Sequence, residues 1–127
     1  MEEKYLKLFK EIVRAVEIIS EQAMEYEKNN SNEKGIQTAG IMRTDYSKLY
    51  DKMDSKNFEL TDLKKSDLSK ILIATFIVSN NLEERIKKEN QALHSYKINI
   101  IPKLDRIINE NQTEEEIERA IQTFFYD

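Results

Sequence analysis

The stretch YLKLFKEIVRAVEIISEQAMEY, residues 5–26, decides the fold. Its residues Tyr5, Phe9, Ile12, Val16, Ile19, Ala23 and Tyr26 recur at intervals of 4, 3, 4, 3, 4 and 3. At 3.6 residues per turn that alternation keeps all seven on one face of a helix, whereas the period of two in a strand would divide them between both faces. Leu6, Leu8, Val13 and Ile18 widen the face beyond a narrow coiled-coil seam. A helix over about residues 2–28 is therefore expected to touch at least two neighbours in a bundle.

Downstream, NNSNEKG at 29–35 is rich in residues that bond their own backbone or visit left-handed conformations, and it reads as a loop. A second helix follows at about 38–53, with Ala39, Met42, Tyr46, Leu49 and Met53 at helical spacing and Gly40 weakening its first turn. Residues 55–61 form a second connection. Thr61 or Ser66 can cap the next helix, with Asp62 and Asp67 complementing its positive end.

From Asp67 the series Leu68, Leu72, Thr75, Ser79, Leu82, Ile86, Glu89, Leu93, Tyr96 and Ile100 keeps heptad spacing, so a single long helix is expected over about 67–100. Within it, Ile71 to Val78 is apolar nearly all round, as in the middle of a bundle or a subunit interface, while Glu83 to Asn90 is mostly polar. Pro102 lacks a backbone donor and disfavours helix at Ile101, so a bend or break is expected there. Thr113 and Glu116 form a capping box that starts a last helix at Glu114. The expected fold is all-α: one domain over 1–127, a bundle of four to five helices with the long helix bent or broken near Pro102.

Composition agrees, since two glycines and one proline supply too few turn residues for a hairpin-rich sheet. The longest apolar run, Ile71 to Val78 with Thr75 inside it, is far short of the roughly 20 residues a membrane span needs. The first 15 residues lack an unbroken apolar segment, so a cytoplasmic protein without a signal peptide is expected. The Lys, Asn, Ile and Glu bias is that of chains from AT-rich bacteria or their phages.

Searching for chemistry excludes more than it finds. The absence of cysteine removes disulfides and thiolate sites, and His94, as the only histidine, removes multi-histidine metal centres. There is no Glu-x-x-His pair for a di-iron bundle, no phosphate-binding glycine loop and no nucleophile elbow. Acidic clusters at Glu2–Glu3, Glu83–Glu84 and Glu114–Glu116 diverge by about 100° per residue and suit caps or solvated faces. No enzyme, cofactor or metal is expected.

The net charge of −4 argues against general nucleic-acid binding, and residues 110–127 alone carry −5, six acids against Arg119. Lys64, Lys65, Arg85, Lys87, Lys88, Lys97, Lys103 and Arg106 could still gather into a basic patch on the folded chain. The expected function is a non-enzymatic protein–protein interaction module: an adaptor, an immunity or antitoxin-like protein, or a phage-encoded inhibitor that occupies a partner surface. The alternative is a helical subunit of a nucleoprotein complex that touches phosphates. Ile117, Ile121, Phe124, Phe125 and Tyr126 are the candidate partner-binding residues, docking on the chain's own bundle being the plainer role for them. A homodimer is expected because the heptad faces outrun what a bundle of this size covers.

Overall fold

The computed structural model describes residues 2–81 and 91–126, with side chains over 5–78 and 100–126. The described residues form α1 (Glu2–Asn29), α2 (Glu33–Met53), a 3-10 turn (Leu60–Asp62), α3 (Lys65–Asn81), α4 (Gln91–Glu110) and α5 (Glu114–Phe125). They contain no strand, and the all-α bundle of four to five helices is the observed architecture.

Helices α1 and α2 make an antiparallel pair, with Lys10 against Asp54 at one end and Glu21 against Arg43 toward the other. Only residues 30–32 join them. Ser31 takes the left-handed conformation, φ 54°, and the Asn32 side chain accepts the Gly35 N–H at 3.1 Å. That cap starts α2 at Glu33, five residues before the expected start and ahead of both glycines. A helical glycine costs only about 1 kcal/mol, which the packing of this long pair absorbs.

The expected stripe on α1 buries Phe9, Ile12 and Val16, partly buries Tyr5 and Ile19, and leaves Ala23 and Tyr26 exposed. A second stripe, Val13, Glu17, Ser20 and Met24 at intervals of 4, 3 and 4, lies beside the first and is buried through Ser20. From α2, Ala39, Tyr46, Leu49 and Met53 are buried, as their spacing requires. The Tyr46 hydroxyl donates to the Lys70 carbonyl at 2.9 Å, tying α2 to α3, and burial pushes its phenol up to about 12.

The long helix expected over 67–100 is corrected by the packing of α3 against α4. Lys65 Nζ donates to the Asn111 carbonyl at 3.2 Å, and Lys64 pairs with Glu114 at 3.1 Å. Along one straight helix, residues 65 and 111 would be about 69 Å apart. The two segments therefore run side by side and antiparallel, and residues 82–90, which the expected helix included, lie outside the described residues. Of the bend or break expected near Pro102, the break is absent: α4 runs through it, with Pro102 exposed and Ile100, Leu104 and Ile107 buried on both sides of it.

Neither Thr61 nor Ser66 caps α3. The Lys64 N–H donates to Asp67 Oδ2 at 2.9 Å, and the same carboxylate receives Lys52 Nζ. The preceding 3-10 turn is closed by a reciprocal Glu59–Asp62 box and inserts Leu60 and Leu63 into the core. Thr113 caps α5 as expected, accepting the Glu116 N–H at 3.1 Å.

Candidate functional site

The candidate partner-binding residues near the C-terminus are committed to the chain's own core. Ile117, Ile121 and Phe125 are buried, and Phe124 and Tyr126 are partly buried. The Phe125 ring meets Phe9 edge-on at 5.4 Å and Tyr5 at 5.0 Å. Lys103 lies over the Tyr5 and Phe125 rings and donates to the Tyr5 hydroxyl and the Phe124 carbonyl. The Thr61 N–H donates to the Tyr126 hydroxyl at 3.4 Å. A partner could reach the buried three only by undocking α5, whereas Phe124 and Tyr126 keep part of their surface exposed.

The cations singled out in the sequence do not converge where they can be followed. Lys64 pairs with Glu114, Lys65 with the Asn111 carbonyl, and Lys103 with the aromatic cluster just described. Arg106 pairs with Glu110 at 3.4 Å and lies over the Phe124 ring. Arg85, Lys87 and Lys88 lie outside the described residues, as do the side chains of Lys97 and His94. Among the described residues, no group of three or more His, Asp or Glu could hold a metal ion, and no helix is long and apolar enough to cross a membrane.

Two surface features remain. The first is on α3, whose apolar run faces both ways. Ile71, Ala74 and Val78 are buried, whereas Ile73 and Phe76 are 53% and 49% exposed, with Leu72 and Ile77 partly buried beside them. Positions 72, 73, 76 and 77 are neighbours on a helix surface, so the four form one continuous apolar patch.

The second is a groove of about 470 Å³ between α1 and α2. Glu17, Ile18 and Glu21 line it from α1, and Thr44, Ser47 and Lys48 from α2. Glu17 is only 7% exposed. Its Oε2 accepts from Arg14 Nη1 at 2.8 Å, but its Oε1 is sealed from solvent and has no donor. A buried polar atom left unmatched costs about 1–3 kcal/mol, so it calls for an explanation. One turn along, Glu21 Oε1 accepts from Arg43 Nε at 3.0 Å. Arg14 also lies over the Tyr50 ring at 5.3 Å. At the far end of the seam, the hydrogen bond from Lys10 to Asp54 holds the Lys10 ammonium above its ordinary value.

Sequence reasoning missed the groove because it followed the dominant stripe of α1. The available signal was the second stripe, where Glu17 stands in register with Val13, Ser20 and Met24 at positions that face α2.

No family model, curated protein or solved structure matches this chain.

Proposed function

We propose that this chain is a non-enzymatic protein-interaction module that acts by occupying a partner's surface with the outward face of α3. The observation that carries the reading is the half-exposed pair Ile73 and Phe76, one turn apart on a helix whose opposite side is buried. Large apolar side chains contiguous on a surface mark protein contacts, because association removes from water what folding has left in it. Branched aliphatic and aromatic groups on a rigid helix also lose little freedom when they dock. An adaptor, an immunity or antitoxin-like protein and a phage-encoded inhibitor all act in this way. A cytoplasmic setting belongs to the same reading, and the acidic balance of −4 suits a basic partner.

The test is a pull-down from the source organism with the wild-type chain and an Ile73→Asp/Phe76→Asp variant, read by mass spectrometry. The expected result is a protein retained by the wild type and lost by the variant, at an unchanged melting temperature. Equal capture by both chains refutes the role of this face. Light scattering on the same pair distinguishes a heterologous partner from a second copy: dimer in the wild type and monomer in the variant would make the α3 face a self-association surface. The nucleoprotein alternative draws little support from Lys64, Lys65, Lys103 and Arg106, each already engaged within the chain. Its test is binding to nonspecific DNA or RNA at low ionic strength, where counterion release favours it most.

A further inference from the structure

We propose that the tip of the α1–α2 pair, residues 21–40, is an arm that opens as one unit while the rest of the bundle stays folded, with its hinge at the level of Ser20 and Thr44. This concerns the pair alone and does not depend on the α3 face. The core stops short of the tip: its apolar cluster ends in α1 at Val16 and the partly buried Ile19 and resumes in α2 at Met42. No residue from Glu21 to Thr38 is buried, and only Met24, Glu27, Gly35 and Ile36 are partly so. The stretch from Glu21 to Asn29 carries α1 about 13 Å past Ser20, and helical segments this short are marginal in water without a core to pack on.

The base of the arm is weak in both helices at once. The ion pairs Lys10–Asp54 and Glu21–Arg43 lie eleven residues apart along each helix, which sets Ser20 level with Thr44. Each of these hydroxyls donates back to the carbonyl four residues earlier, Ser20 to Val16 at 2.8 Å and Thr44 to Gly40 at 2.9 Å. A side chain bonded in this way competes with the helical amide for its acceptor and loosens the helix. Beside this level, Glu17 holds an oxygen that is sealed from solvent and has no donor, and Gly40 has low helix propensity.

Little holds the arm shut above that level. The Glu21–Arg43 pair joins two side chains that are each more than half exposed, where solvent screening leaves an ion pair worth little. Ser31, in the turn, holds the left-handed conformation, which crowds the first carbon of any side chain. Along the seam Gly35 and Gly40 present no side chain, and the Met24 methyl group lies 3.9 Å from where a Gly40 Cβ would stand. Opening the arm uncovers Met24, Ile36 and Ala39, which the closed pair shields, so the arm is a gate over a short apolar seam.

The experiment is native-state hydrogen exchange of the whole chain, read by NMR at several urea concentrations below the unfolding midpoint. Amides 22–29 and 37–40 are expected to share one opening constant, at least about 100-fold larger than that of amides 9–16 and 46–53, and to depend weakly on urea because the opening exposes little surface. Gly40→Ala, whose added methyl group has room, should slow the arm about fivefold, the difference in helix propensity between the two residues. Phe125→Ala weakens the core, so it should speed exchange at 9–16 and 46–53 and leave the arm where it is. Should that variant fail to fold, the urea series on the wild type carries the same distinction. The proposal is overturned if arm and core amides exchange alike, or if Phe125→Ala speeds both. Rates that fall steadily from Ser31 inward, the mark of fraying, overturn it as well, as does a Gly40→Ala arm that exchanges at the wild-type rate.

Discussion

Replacing Phe125 with alanine removes the ring that joins α5 to α1. The side chain is 1% exposed and meets Phe9 and Tyr5 edge-on. Truncating a buried phenylalanine costs about 3–5 kcal/mol through lost transfer energy and the cavity left behind. The two ring contacts, each about 0.5–1.5 kcal/mol beyond area, place this site toward the upper part of that range. Unfolding entropy near 2.1 cal/mol/K per residue gives about 0.27 kcal/mol per degree for 127 residues, so a loss of about 4 kcal/mol lowers the melting temperature by about 15 °C. Far-UV circular dichroism during heating, with urea titration at 25 °C, measures both quantities. Phe124→Ala is the internal control: that ring is partly buried under Arg106, and about 1 kcal/mol is expected. A Phe125→Ala loss below about 1 kcal/mol, or equal losses at the two positions, would mean that α5 docks through a different face.

Thr113→Ala is expected to cost about 1 kcal/mol by removing the cap of α5, and Thr113→Asn to keep most of it; the same urea titrations check both. Tyr46 gives a pH dependence of definite sign. Its folded pKa, about 12, lies above the ordinary tyrosine value near 10, so the folded chain holds this proton more tightly than the unfolded chain does. The resulting stability is complete below about pH 10 and is lost as the pH rises toward 12. Tyr46→Phe should flatten that decline relative to wild type, and at neutral pH should lose about 1 kcal/mol with the bond to the Lys70 carbonyl.

Wherever one periodic face governs a helix, the sequence made it legible. Tyr5 to Ile19 and Ala39 to Met53 lie where their spacing puts them, and Thr113 caps the helix it announces. The second helix began earlier than expected because glycine and asparagine were read as loop formers, whereas Asn32 acts as the cap and the glycines follow inside the helix. The long helix failed for a different reason. Heptad spacing records only which residues share a face, and two antiparallel helices can keep the same phase as one continuous helix. The polar stretch Glu83 to Asn90 was the available warning. At the C-terminus the face was correct but its use was undecided, because Ile117 and Ile121 read alike whether they dock inward or outward. The groove was legible only in part: the second stripe sets Glu17 in register with Val13 and Ser20, but nothing local to it says that α2 lies against it.

The aromatic junction of Phe9 with Phe125 also has a consequence in time. These residues stand 116 positions apart, an unusual reach for an all-helical chain, whose contacts are mostly local. At roughly 5–20 residues per second, a ribosome takes about 6–23 s to deliver Phe125 after Phe9. The α1–α2 pair is a local unit with a three-residue connection, but Tyr5 and Phe9 meet the Phe125 ring only once α5 has been made. The aromatic side of the nascent hairpin therefore stays without the Phe125 ring for seconds, and α5 supplies that ring late.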